Sequence, residues 1–285
     1  MPSGRRPADR GAVHDVPGAE AVAAGARSTF AREFGSRPGA PIAVVVPAFD
    51  EAMSVGDVVR AVPRQMSGLA SEVIVVDDGS TDGTEEHARA AGALVCRLPV
   101  NLGQGQALRL GYRLARDRGA EVIATVDADG QFDPGELPNL VAPLIVGNAD
   151  FVNGSRRLGG AETSDSVRRL GDYVFGALVS LLTRVRITDP ANGLRAFRAE
   201  VVERVPLRQV QYQTAELLIG AISRGFRVRE VPVTVYARGS GASKKGGNLF
   251  YGWQFGRVVL TTWWSARAEA RRSRGRTRPA RTGRT

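Results

Sequence analysis

Residues 42–46, 73–76, 94–98 and 122–126 are short apolar runs, rich in Val and Ile, with no polar alternation. Such runs suit strands covered on both faces, as in a parallel sheet. Between them, residues 55–62, 84–91 and 105–116 place apolar side chains at helical period. Strand, helix and strand at this spacing predict βαβ units, and hence a mainly parallel, Rossmann-like α/β sheet flanked by helices. The second half is less regular: 151–152 and 228–235 read as strands, 167–183 and 216–224 as helices. Residues 1–40 mix small residues, Pro and Arg. They offer too little apolar surface to offset ordering entropy and are expected to form a disordered arm.

Composition narrows the chemistry. The chain has 285 residues, 43% hydrophobic and 24% charged, enough for one large α/β domain. Cys96 is the single cysteine, and His14 and His87 are the two histidines. A disulfide framework, a His-ligated metal centre and a His-dependent hydrolase are therefore excluded. The net charge of +10 is a property of the ends: residues 1–40 carry +2, residues 265–285 carry +7, and the body about +1. A specific nucleic-acid surface on the fold loses its support. Six aromatic residues, including all three Trp, fall within 249–264, directly before the Arg-rich tail. Leu249, Trp253, Gly256, Leu260 and Trp264 recur at helical spacing, with Phe250, Phe255 and Trp263 beside them. The stretch is shorter than the roughly 20 residues a spanning helix needs, and suits a helix lying on an anionic membrane surface, the alternative being a core helix packed on the domain with an unstructured tail. A second apolar stretch, 174–182, is expected to be buried, with membrane contact the alternative. With nothing resembling a signal peptide at the start, the expected location is cytoplasmic, peripheral on the inner face of the cell membrane.

Three predicted strands end in chemically useful residues: Pro47, Phe49, Asp50 and Glu51; Asp77, Asp78, Ser80 and Asp82; Asp127, Asp129 and Gln131. In an open parallel sheet the carboxyl ends of the strands share one edge, so these groups converge. Asp127 and Asp129 can aim two carboxylates at one hard cation, Mg²⁺ or Mn²⁺, with Gln131 adding a carbonyl oxygen. The alternative is a solvated acidic turn. Gly103 and Gly105 precede a helix, but Leu108 stands where a dinucleotide fingerprint needs its third glycine. A tight strand-to-helix turn is the better reading there.

The ordered set PAFDE, VIVVDDGSTDGT, NLGQGQALRLG and VDADGQ resembles family-2 glycosyltransferases of the GT-A fold. Further on, Gly154-Ser155-Arg156, the stretch DPANGLR at 189–195 and RGSGASK at 238–244 resemble the dolichol-phosphate mannose synthase-like, or polyprenyl-phosphate glycosyltransferase, branch. The resemblance spans about residues 41–260. It implies that Pro47, Phe49, Glu51, Val76 and Asp78 line the nucleoside pocket. Asp127, Ala128, Asp129 and Gln131 would hold metal and diphosphate. Arg156, Arg238 and Lys244 would meet donor or acceptor phosphates, with Arg168 or Arg169 assisting. Asp77 and Asp82 are read as loop buttresses. Glu216 resembles a helix-borne acid near the acceptor, an exposed helix residue being the alternative.

The implied activity is inverting, metal-dependent transfer of a sugar, mannose from GDP-mannose first and a UDP-sugar second, to a polyprenyl phosphate. An anionic acceptor oxygen needs no catalytic base. Asp129, Arg156, Arg238 and Lys244 would be the catalytic set. The alternative is a soluble family-2 enzyme with a hydroxyl acceptor, which needs a base such as Glu216 or Asp189. A receiver-like signalling module is more remote, because the only lysines are Lys244 and Lys245, and a nucleic-acid binder has only the Arg-rich tail to support it. The expected organisation is an arm at 1–40, a glycosyltransferase domain at 41–247, an aromatic amphipathic helix at 248–264 and a basic tail at 265–285.

Overall fold

The computed structural model describes residues 18–35, 38–161, 166–209, 213–236, 256–265 and 267, with backbone alone for 160, 161, 166–170 and 172. In chain order the elements are α1 (Ala19–Phe34), β1 (Ile42–Ala48), α2 (Val55–Ala61), β2 (Gln65–Met66), β3 (Leu69–Asp77), α3 (Thr84–Ala90), β4 (Leu94–Arg97) and α4 (Gln104–Asp117). There follow β5 (Val122–Thr125), a 3₁₀ turn (Pro134–Glu136), α5 (Leu137–Ile145), β6 (Phe151–Ala161), α6 (Ser166–Thr183), β7 (Arg195–Arg198), α7 (Ala199–Arg204), α8 (Gln213–Ser223) and β8 (Val228–Val235). Residues 256–265 are helical.

All four apolar runs are strands of one sheet, ordered β4–β3–β1–β5–β7–β6–β8, with the two-residue β2 pairing antiparallel to the start of β3. The expected α/β class holds. Every long strand runs in the same direction except β7, which pairs antiparallel with both β5 and β6. The pleat sends alternate residues to opposite faces. From β1, Ala43 and Val45 enter one core with α1, α4, α7, α8 and Val259. Ile42, Val44 and Val46 enter the other, with α2, α3 and α5. Helices on both faces are why these strands read as unbroken apolar runs.

One expectation fails and another holds in part. Residues 18–35 are not a disordered arm: α1 packs on the sheet, burying Ala19, Ala23 and Phe30. Arg27–Asp117, Arg113–Glu20 and Arg89–Glu33 ion pairs ring its edges. Burying Phe30 contributes about 1.5–3 kcal/mol, and the six Ala of α1 are strong helix formers. His14 and the rest of 1–17 lie outside the described residues. The expectation for 174–182 holds on one face of the helix: Val179 is fully buried and Phe175, Leu178 and Leu182 pack on the core, while Val174 and Leu181 are exposed. In the segment 256–265, Val258, Val259 and Trp263 face inward, and the Trp263 indole N–H donates to the Leu182 carbonyl at 2.8 Å. Leu260 and Trp264 face outward, as the helical spacing requires, but Trp263 belongs to the packed side. No helix among the described residues is long and apolar enough to cross a membrane.

Candidate active site

At the carboxyl edge of the sheet, β1, β3 and β5 end within reach of one another, and side chains of the 77–84 loop hold the 49–52 loop in place. Asp50 has a positive φ of 50°, a conformation Asp tolerates. Its N–H donates to Ser80 Oγ, and its carboxylate accepts the Thr81 N–H. The N–H groups of Glu51 and Ala52 donate to Thr84 Oγ1 and Asp82 Oδ2. Burial raises the Asp82 carboxyl, but hydrogen bonds from Thr84 and Ala52 outweigh it and hold the group below its usual range. Asp77, fully buried, accepts the Ser80 N–H at 2.9 Å. Asp77 and Asp82 are thus the loop buttresses the sequence suggests.

Asp78 is a buttress too. Its two oxygens accept the N–H groups of Leu102 and Gly103 at 2.7 and 2.8 Å. Burial pushes its carboxyl up to about 6, against the pull of those two bonds. Gly103 has a φ of 91° and opens α4, so the Gly-Gln-Gly stretch is the strand-to-helix turn expected from sequence. Pro47 and Val76 are buried, the Val76 side chain within the core, so either one reaches a ligand only through backbone or edge atoms. Phe49 and Glu51 are half-buried at the rim.

The β5 exit carries the paired acids. Asp127 and Asp129 are half-buried; the Gln104 amide donates to Asp127 Oδ1 at 3.1 Å, and Asp129 Oδ1 accepts the Gln131 N–H. Ser54 Oγ donates to the buried Ala128 carbonyl at 2.8 Å, joining this turn to the first loop. The Gln131 carbonyl accepts the Tyr236 N–H, two residues before Arg238. Arg238 and Lys244 lie outside the described residues, as do the side chains of Arg168 and Arg169.

The loop entering β7 closes the other side. The Asp189 carboxylate, 1% exposed, accepts four bonds: Arg156 N at 3.1 Å, Arg156 Nε and Nη2 at 2.7 Å each, and Asn192 Nδ2 at 3.0 Å. Burial raises this carboxyl, but the Arg156 bonds and charge, with Asn192, hold it well below the usual carboxylate range. Thr125 Oγ1 donates to the Gly193 carbonyl at 2.7 Å, and a Cβ at Gly193 would collide with Asp127 Oδ2. A single backbone loop therefore touches the Asp127 carboxylate at one end and holds the Arg156 guanidinium at the other.

Several residues of this frame escape sequence reasoning. Glu230 on β8 accepts the Thr188 N–H and hydroxyl at 2.7 Å, the Asp189 N–H at 3.1 Å and Asn153 Nδ2 at 3.2 Å. Ser155 Oγ meets Thr188 Oγ1 at 2.6 Å. Nothing in a lone Glu beside an Arg in a strand announces such a role. Polar residues inside the β6 run, Asn153 and Ser155, were the available signal. Glu216 is buried, not exposed: both oxygens accept loop N–H groups, from Arg208 at 2.8 Å and Gln209 at 3.0 Å. Burial raises its carboxyl against those bonds. Cys96 is buried with its thiol pushed up to about 12, and is inert.

The donor set fits a divalent metal that binds with substrate. Among the described residues there is no cluster of three or more Asp, Glu, His or Cys. Two carboxylates one residue apart, half-exposed beside a packed loop, match a hard cation that takes its remaining oxygens from water and phosphate.

Comparison with known proteins agrees with this frame. The glycosyl transferase family 2 model matches residues 43–205. Over 203 residues the chain is 34% identical to a dolichyl-phosphate hexose transferase of Haloferax volcanii, spanning 71% of this chain and 86% of that one. It is 30% identical over 223 residues to an undecaprenyl-phosphate mannosyltransferase of Micrococcus luteus, spanning 73% and 88%. Among solved structures, glucosyl-3-phosphoglycerate synthase from Mycobacterium tuberculosis, crystallised with Mn²⁺, uridine diphosphate and phosphoglyceric acid, superimposes with a TM-score of 0.62. It is 25% identical and covers 84% of this chain and 82% of that one. Strand order, paired acids and sequence similarity lead to one assignment: the chain belongs to glycosyl transferase family 2, a glycosyltransferase of GT-A-type α/β fold whose relatives include polyprenyl-phosphate sugar transferases.

Proposed function

We propose that the chain moves a sugar from a nucleotide-sugar donor to a polyprenyl phosphate, with inversion at the anomeric carbon. GDP-mannose is the first donor to test and a UDP-sugar the second. The reading rests above all on the state of Asp189 and Glu216, the two carboxylates expected to serve a hydroxyl acceptor as base. Asp189 is saturated by four donors and held ionised, a poor proton acceptor. Glu216 has both oxygens committed to loop N–H groups. An acceptor phosphate needs neither, because its second pKa is about 6 and its oxygen is already anionic at neutral pH.

In this reading Pro47, Phe49, Glu51, Val76 and Asp78 frame the nucleoside, Asp78 by fixing the 102–103 backbone. Asp127 and Asp129, with Gln131, hold Mg²⁺ or Mn²⁺, which when bound offsets charge on the departing diphosphate. Arg156, kept in one orientation by Asp189, meets a phosphate, and Arg238 and Lys244 approach from the chain that follows Tyr236. Two anions brought together repel, and planar guanidinium groups offset that repulsion with directional bonds. Outward-facing Leu260 and Trp264, followed by the Arg-rich tail, supply contact with an anionic membrane, so the enzyme works peripherally on the inner face.

A donor panel with radiolabelled sugars, polyprenyl phosphate and Mn²⁺ tests the reading. Label is expected in the organic phase, and none with Asp127→Ala. Label confined to the aqueous phase overturns the lipid acceptor and favours a hydroxyl one.

A further inference from the structure

Six buried side-chain atoms among the described residues have no hydrogen-bond partner: Asp77 Oδ2, Asn153 Oδ1, Arg195 Nε, both polar atoms of Gln213 and Thr262 Oγ1. Buried polar groups are normally satisfied, so each exception needs a reason. Four of the six belong to one connected neighbourhood. Arg195, at the start of β7, donates through Nη2 to the Asn192 carbonyl and through Nη1 to the Thr214 carbonyl at 2.7 Å. One guanidinium thus joins the loop against Asp127 to the first turn of α8, where Gln213 sits. Asn153 donates to the Asp189 carbonyl of the same loop. Arg195 is close enough to Asp127 and Asp189 to interact with both charges.

Gln213 stands out within this group. It is 3% exposed, and neither Nε2 nor Oε1 has a partner among the described residues. A primary amide can donate two hydrogen bonds and accept two. Leaving all of them unmade in a buried place is costly, whereas a Leu of similar size would cost nothing. The residue is thus poorly chosen for stability and well chosen for a ligand.

We infer that Gln213 reads the donor sugar, its amide engaging a pair of neighbouring hexose hydroxyls, one as donor and one as acceptor, so that it determines which sugar is transferred. The assignment rests on the reaction proposed above. A neutral hydroxyl pair suits the site better than a phosphate. The amide carries no charge, two of the Arg195 nitrogens are spent on the carbonyls of Asn192 and Thr214, and Arg109 Nη1 is spent on the carbonyls of Leu207 and Gln209. Placement agrees: Gln213 adjoins Thr214, whose carbonyl one guanidinium, that of Arg195, links to the loop that abuts Asp127, where the diphosphate end of the donor would be held. A hydroxyl-reading amide also gives strong discrimination, because a sugar lacking the matching hydroxyl leaves buried polar groups unpaired.

The full-length chain and its Gln213→Leu and Gln213→Glu variants are compared by three measurements. These are melting temperature, calorimetric affinity for the nucleoside diphosphate with Mn²⁺, and kcat/KM across donors that differ only in hexose epimer. Gln213→Leu should melt no lower than wild type and bind the nucleoside diphosphate within about twofold. Its kcat/KM for the preferred donor should fall about 10- to 100-fold, with the ratio between epimers compressed toward one. Gln213→Glu keeps the shape and loses the donating group, and should compress the same ratio if the Leu variant does not fold. Unchanged kcat/KM and epimer ratio overturn the assignment, as does an equal loss of nucleoside diphosphate affinity, which marks general distortion. Wild-type chain that turns over no nucleotide-sugar overturns the proposed reaction and this assignment with it. Active wild type with indifferent variants overturns this assignment alone.

Discussion

Gly193 has no side chain, and that is its function: the Asp127 carboxylate occupies the place where a Cβ would stand. Gly193→Ala should push the carboxylate aside. The expected outcome is a fall in kcat of about 10- to 100-fold and weaker Mn²⁺ binding by calorimetry, with a melting temperature close to wild type, as a displacement of about 1 Å warrants. Asp78 makes a pH prediction. Its carboxyl is raised to about 6 from 3.8, so the native chain holds the proton more tightly than the unfolded chain. Its contribution to stability is therefore greatest below pH 4 and declines as pH rises through 6, by on the order of 3 kcal/mol in total. Melting curves of wild type and Asp78→Asn should show the wild-type advantage shrinking over that window. The paired acids and the DDGS loop were legible in sequence because they are contiguous. Gln213, Glu230 and Arg195 were not, because their meaning depends on partners brought up by other strands.

Among the elements, the 188–195 loop is the one on which the site depends, and Glu230 holds it with one carboxylate against four donors. Glu230→Ala should destabilise the fold by about 1–3 kcal/mol, the cost of orphaned buried donors. Hydrogen exchange should quicken first at the Thr188 and Asp189 amides; protection unchanged there would refute the role. The parallel strands were readable because burial on both faces leaves a continuous apolar signature. β7 was not: it has four residues, two of them Arg, and follows directly on a turn. α1 was missed for the opposite reason. Its Ala, Gly and Arg content resembles that of the preceding arm, and Val22, Phe30 and Phe34 are the large apolar residues of its packed face.

For the whole molecule, the folded body is nearly neutral and the charge lies at its ends, so any electrostatic attraction to a surface acts through the tail. Removing residues 249–285 would also remove Val258, Val259 and Trp263 from the core, and so would confuse loss of an anchor with loss of packing. The cleaner variant is Leu260→Ser with Trp264→Ser, both outward-facing. We expect reduced cosedimentation with anionic liposomes at an unchanged melting temperature. Undiminished binding would show that this helix face does not touch lipid.

β7 runs against its neighbours, and so delivers its beginning where they deliver their ends. Chain arriving from α6 and chain leaving β1, β3 and β5 thereby open onto the same rim, and the far rim is left with connections such as those at Gly119, Gly147 and Gly225. The connections that carry chemistry gather at one pole and the plain ones at the other. Lengthened turns, fused modules or binding partners can accumulate at the far pole while sugar transfer proceeds undisturbed at the other.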